Sequence, residues 1–147
     1  EKMKPAGYRD LQADEIPVVP LAAGGRAKVI AGTLHADGKA TPGPIQGLST
    51  EPLYLDVELP PDARFVQPIA ADHNAFVYAF EGAIRIGGRD VPTHVEAGPA
   101  GGRFLVLAAK PIGEPIVQYG PFVMNTRAEI EQAIRDYQSG AFGREAG

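Results

Sequence analysis

Cysteine and tryptophan are both missing from the 147 residues. Without thiols there can be no disulfide, no thiolate metal site and no cysteine nucleophile, and the composition suits a cytoplasmic protein. No run approaches the roughly 18 apolar residues that a membrane-spanning helix needs. The opening EKMKPAGYRDL also lacks the apolar core of a signal peptide. No membrane partner is expected. Cations are outnumbered, with 14 Lys and Arg against 18 Asp and Glu for a net charge of -4. Lacking a basic footprint to neutralise phosphates, the chain is not expected to bind nucleic acid directly. It starts at Glu1 rather than methionine, from which a preceding segment is expected in the intact gene product.

A hydrophobic content of 44% with 22% charged residues is that of a globular protein. A single domain of this size buries about two-thirds of its unfolded surface. Glycine (18) and proline (14) are plentiful, which points to many turns and short strands. Residues 1–20 read as an irregular arm with one helical turn around 11–15. AKVIAGTL (27–34) reads as a short strand after a Gly24–Gly25 turn, and 35–50, rich in Gly and Pro, as a long loop. LYLDVEL (53–59) alternates, with Leu53, Leu55, Val57 and Leu59 on one face and Tyr54, Asp56 and Glu58 on the other. Another strand spans 63–69.

The stretch HNAFVYAFEGAIRIGG (73–88) reads as a hairpin: Phe76 to Phe80 as one strand, a turn at Glu81–Gly82, Ala83 to Ile86 as its partner, and a turn at Gly87–Gly88. A weak strand at 90–96, a GPAGG turn (98–102), a buried strand RFLVLAA (103–109) and a last strand at 115–119 follow. Such spacing of strands and turns predicts a sandwich or barrel over residues 27–119. The ending differs. Thr126 and Glu129 make a capping box, Ile130, Ala133, Ile134 and Tyr137 form one apolar stripe, and Gly140 stands where a helix would stop. These signals predict one helix over 127–139.

Three stretches together resemble a known family: LYLDVELPPDARF (53–65), HNAFVYAFEG (73–82) and EPIVQYGPFVMNTRAEIEQAIRDYQSGAFG (114–143). They look like the carboxy-terminal half of the pirins, which are bicupins. The last stretch is the most specific, because YGPF leads into a capped helix that ends in Asp-Tyr-Gln. The resemblance implies an all-β, cupin-type (double-stranded β-helix or jelly-roll) barrel with one carboxy-terminal helix, a single domain over 1–147. In that family the amino-terminal cupin binds one iron through three histidines and a glutamate. Some members open flavonols such as quercetin with dioxygen, and others act as transcriptional coregulators. None of those ligands lies in the matching half, so none is carried onto residues of this chain.

A metal-binding cupin needs H-x-H-x3–4-E-x6-G, so that two imidazoles and a carboxylate converge on one cation. If Gly82 closes the motif, the carboxylate position is Ala75, and the histidine positions are Ala71 and Ile69, or Ala70 and Pro68. If Gly88 closes it, the carboxylate is Glu81, but the histidine positions are Val77 and Ala75, or Phe76 and Asn74. In the second motif, P-x-G-x2-H, the run Pro99-Ala100-Gly101-Gly102-Arg103 leads to Phe104, a ring where an imidazole would be. No metal site, no cofactor and no catalytic residue is therefore expected in this chain, and iron is expected only in the family's amino-terminal cupin.

His73 and Asn74 are the remaining polar candidates, either as ligand contacts at the barrel mouth or as residues that fix the loop into the hairpin. His35 and His94 read as solvated. Asp56 and Glu58 share a face that reads as solvated rather than as a catalytic pair. The GPAGG turn lacks the lysine and helix of a phosphate loop. Tyr54, Phe76, Tyr78 and Phe80 could line a pocket for a small apolar ligand, though an aromatic stripe on strands most simply fills a core. Tyr119, Pro121, Phe122 and Met124 form an apolar segment that must be covered by its own barrel or by a partner. The expected partner is the amino-terminal cupin of the same protein, with another protein as the alternative. The expected function is structural: a metal-free half completing an iron-bearing one, with a protein-interaction module or an apolar-ligand binder as alternatives.

Overall fold

In the computed structural model, residues 9–87 and 93–141 are described. Leu11–Pro111 make one unit, and the described residues from Ile112 onward belong to a second. In the first, a 3-10 turn (Ala13–Glu15) leads into β1 (Val18–Pro20) and β2 (Arg26–Ala31). Then come β3 (Thr33–Ala36), β4 (Lys39–Pro42), β5 (Leu53–Leu59), β6 (Arg64–Gln67), β7 (Asn74–Gly87) and β8 (Thr93–Ala109). The second unit holds β9 (Val117–Tyr119), β10 (Phe122–Met124) and the helix α1 (Arg127–Gln138).

Period-two alternation decides which side chains enter the core. Leu55, Val57 and Leu59 of β5 are buried together with Ala27, Val29 and Ala31 of β2 and Phe104 and Val106 of β8. Their alternate neighbours face outward. Each fully buried Leu or Val contributes about 1.5–3 kcal/mol of transfer free energy. Phe104 is completely buried and meets Phe65 of β6 edge-on at 6.1 Å, so a ring pair adds packing energy beyond area alone.

The sheet runs β1-β2-β5-β8-β6, with β7 also on β8. All of these pairings are antiparallel. The second half of β8 lies between β5 and β7, and its first half between β6 and β7. The sheet curls as a half-barrel around the core.

Two expected turns are absent. The stretch 74–87 is one strand, not a hairpin, and β8 runs through GPAGG without reversing. Pairing extends from Asn74↔Ala109 to Gly87↔His94, with register shifts between Ala79 and Glu81 and between Gly82 and Ile84. The glycines serve these bulges. Gly82 has φ +68° and Gly101 φ +80°, and a Cβ on Gly82 would collide with the Gly101 carbonyl oxygen. Glycine there permits close backbone approach and a bend within a continuous ladder. The expected turn at Gly88 and the start of the 90–96 strand fall outside the described residues.

Three smaller expectations also change. Residues 35–50 are not one loop, because β3 and β4 form a hairpin around Asp37 (φ 52°) and Gly38 (φ +73°). Both φ values are positive, which is the two-residue turn that Asp-Gly favours. The arm contains β1, an edge strand compatible with its prolines. The strand at 115–119 shortens to β9 and gains a partner, β10, across Gly120 and Pro121.

The helix matches its signals. The Thr126 hydroxyl accepts from Glu129 N, while the Glu129 carboxylate accepts from Thr126 N at 2.7 Å. Ile130 and Ala133 are buried, and the stripe packs on β9 and β10. Tyr137 meets Phe122 edge-on at 6.1 Å.

Gly82→Ala should destabilise the protein by about 1–3 kcal/mol, from positive-φ strain and the lost backbone approach. Urea denaturation followed by circular dichroism checks this. A variant as stable as the parent would contradict the bulged ladder.

Candidate functional site

A cavity of about 520 Å³ opens between β3, β6 and the connections that flank β5 and β7. Gln67, Pro68, Ile69, Ala70, His35 and His73 line one part, and Ile45, Leu48, Glu51 and Leu53 another. Gln67 was not singled out from the sequence. Inward positions alternate Ala63, Phe65, Gln67, and period two already carried the signal. Its side chain, 2% exposed, accepts from His35 N (3.0 Å) and donates to the carbonyls of Thr33 (3.3 Å) and Pro68 (3.0 Å). A buried amide thus fastens β6 to β3 with its hydrogen bonds made.

His73 lies at the rim with its side chain 8% exposed. Its Nδ1 faces Asp72 Oδ1 at 2.9 Å and its Nε2 faces the Glu51 carbonyl at 3.1 Å. Lys110 Nζ closes the circuit, 2.6 Å from Glu51 Oε1 and 3.6 Å from Asp72 Oδ2. Lys110 N also donates to Thr50 O. The ring joins the segment before β5, the segment before β7 and the end of β8. The hydrogen bond from His73, with Lys110 close by, holds the Asp72 carboxyl below its ordinary value. The Glu51 contact holds the Lys110 ammonium above its own.

None of the expected histidine positions holds a histidine, and of the two carboxylate positions only Glu81 carries a carboxylate. Ile69, Ala70 and Pro68 are apolar cavity wall, and Phe104 is sealed in the core against Phe65. Among the described residues no three His, Asp or Glu side chains form a group that could hold a metal ion.

A second recess of about 530 Å³ brings together Tyr54, Asn74 and Phe76 with Leu107, and it shares Ile45, Leu48 and Leu53 with the first. Its lining is largely apolar, with Lys110 also contributing. Tyr78 stands apart from both recesses, on the outer face of the sheet.

That outer face overturns the expectation that the aromatic stripe fills the core. Val77 and Ile84 pack against the core, which carries the alternate residues of β7 outward. Phe76, Tyr78 and Phe80 are 61%, 59% and 45% exposed. Cross-strand rows read Tyr54, Leu107, Phe76 and then Asp56, Leu105, Tyr78. Asp56 and Glu58 are not simply solvated. Arg103 grips Asp56 with Nε at 3.0 Å and Nη2 at 2.6 Å while lying 5.1 Å from the Phe80 ring centroid. Arg26 holds Glu58 at 2.8 Å.

In the second unit, Tyr119 is 67% exposed on β9. Pro121 is exposed in the turn, while Phe122 and Met124 of β10 are half-buried.

A half-barrel of antiparallel strands followed by one helix defines a cupin-type fold. The chain belongs to the pirin family: residues 54–143 match the family described as the pirin C-terminal cupin domain. A Pseudomonas aeruginosa protein named as a candidate quercetin 2,3-dioxygenase is 42% identical over 95% of this chain and 54% of its own length. Human pirin is 34% identical over 99% of this chain and 54% of its own. A crystal structure of quercetin 2,3-dioxygenase from Acinetobacter baumannii superposes with a TM-score of 0.78 at 30% identity, covering 97% of this chain and 52% of that one. The chain spans about half the length of these relatives. No helix among the described residues is long and apolar enough to cross a membrane.

The rim has a signed pH dependence. The contribution of Asp72 is whole above the ordinary carboxylate value of 3.8 and is lost as pH falls through its lower folded value. The contribution of Lys110 is whole below 10.5 and is lost as pH rises past its higher folded value. NMR titration of the Asp72 carboxyl should give a midpoint below 3.8 that moves upward in His73→Ala. A parent midpoint at or above 3.8 would contradict the circuit.

Proposed function

We propose that this chain is the metal-free half of a two-cupin protein. Its work is structural: it covers and shapes an amino-terminal cupin that holds iron through three histidines and a glutamate and supports quercetin 2,3-dioxygenase-type chemistry. The observation that carries this reading is the filling of the ligand positions. In neither register of the cupin motif does a histidine stand at an imidazole position: these are Ala71 and Ile69, or Ala70 and Pro68, if Gly82 closes it, and Val77 and Ala75, or Phe76 and Asn74, if Gly88 does. Phe104, where the last histidine would be, is a fully buried member of the hydrophobic core. The length of the relatives, about twice that of this chain, supports a second half.

The test is anaerobic loading of the purified chain with Fe(II), then exhaustive dialysis, metal analysis and a quercetin turnover assay. Iron well below one per chain with background turnover is the expected result. One iron per chain together with turnover would sink the reading.

A second reading, a binder of a small apolar ligand, is favoured by the two adjoining recesses and the Tyr54 and Phe76 rings in one of them. Recesses of this size and lining suit a drug-sized aromatic molecule. Titration with quercetin under anaerobic conditions, read by heat of binding, should give saturable micromolar affinity weakened several-fold by Phe76→Ala. Absence of saturation would dispose of it.

A further inference from the structure

We infer that the outer face of β5, β8 and β7, together with the edge of β7 that no other described strand pairs, is a docking surface. Its occupant is the other half of the polypeptide that the relatives carry. This rests on the two-cupin reading above and adds where the halves meet.

β7 is 14 residues long and pairs only with β8 among the described residues, which leaves a row of backbone donors and acceptors on its other edge. Solitary proteins blunt such an edge with Lys, Pro or short strands. The segment from Asn74 to Phe80 has no Lys, no Pro and no charge before the first bulge. The same segment carries Phe76, Tyr78 and Phe80 outward, beside the half-buried Leu105 and Leu107.

The composition is that of an interface centre, where aromatics and Arg are enriched and Lys is scarce. Arg103 is already neutralised by Asp56 and braced on Phe80. Covering this face would therefore bury a satisfied ion pair rather than a lone charge. A surface of this kind on a lone chain is an aggregation hazard. The relatives extend to about twice this length, so a partner of comparable size travels on the same polypeptide.

The experiment joins the amino-terminal half of the Pseudomonas aeruginosa relative to this chain and compares amide hydrogen exchange in the joined protein and in the chain alone. Exchange over residues 74–80 should slow at least about tenfold on joining. Tyr78→Ser with Phe80→Ser should remove most of that protection. If the joined protein melts in one cooperative transition but 74–80 exchanges as before, the halves pack elsewhere and this surface is wrong while the two-cupin reading stands. Two independent transitions with no mutual protection would overturn both. Protection of 74–80 in the chain alone that grows with protein concentration would identify a second copy as the occupant and overturn the assignment. Should the joined protein fail to fold, the triple serine variant at 76, 78 and 80 of the chain alone decides. Its Tm should stay within about 2 °C of the parent, and a fall beyond about 5 °C would place the rings in the core and reject the surface.

Discussion

The long ladder between β7 and β8 is the constraint on which the rest of the first unit depends. β8 contributes Val95, Phe104 and Val106 to the core while pairing with β5, β6 and β7. A one-residue slip on β8 would turn Phe104 and Val106 out to solvent and bring Arg103 and Leu105 in. Gly82, Gly101 and Gly102 let the two backbones bend at close approach, so the register survives where the strands curl. The inward register also decides what faces outward. Once Val77 packs against the core, Phe76 and Tyr78 have no choice but the outer face. The aromatic surface is thus a consequence of the ladder.

Much of this was legible in the sequence, for reasons that differ by element. The bounds of β5 follow directly from its alternation, and α1 from a capping box and an apolar stripe, because both patterns are local. The β7–β8 ladder was misread because glycine marks turns and bulges alike, and only the partner strand distinguishes them. β4 stayed hidden for another reason. It has no fully buried side chain, so only Asp37–Gly38 announced its hairpin. The aromatic stripe misled because large rings on a strand usually fill a core; their exposure here depends on tertiary register.

The site was legible unequally. His73 is at the rim of a cavity, but the residues that fix it, Asp72, Glu51 and Lys110, come from three separate segments. No sequence period joins them. Gln67 could have been found by carrying the inward positions of β6 one step further. The positions that the cupin metal motif would use, in contrast, are found by counting alone, and Phe104, at the last of them, proves to be a buried core residue. A ring there closes the core against Phe65 where an imidazole would have needed a polar partner. We propose that the chemistry the relatives' names describe belongs to the other half of such a protein, the half that this chain would cover.

The most direct test of that assignment is the iron content of the joined two-half protein after saturation with Fe(II) and removal of loosely held metal. The account predicts one iron per polypeptide, unchanged when His35, His73 and His94 of this half are all replaced by Ala. Two irons per polypeptide, or loss of iron on those replacements, would contradict it.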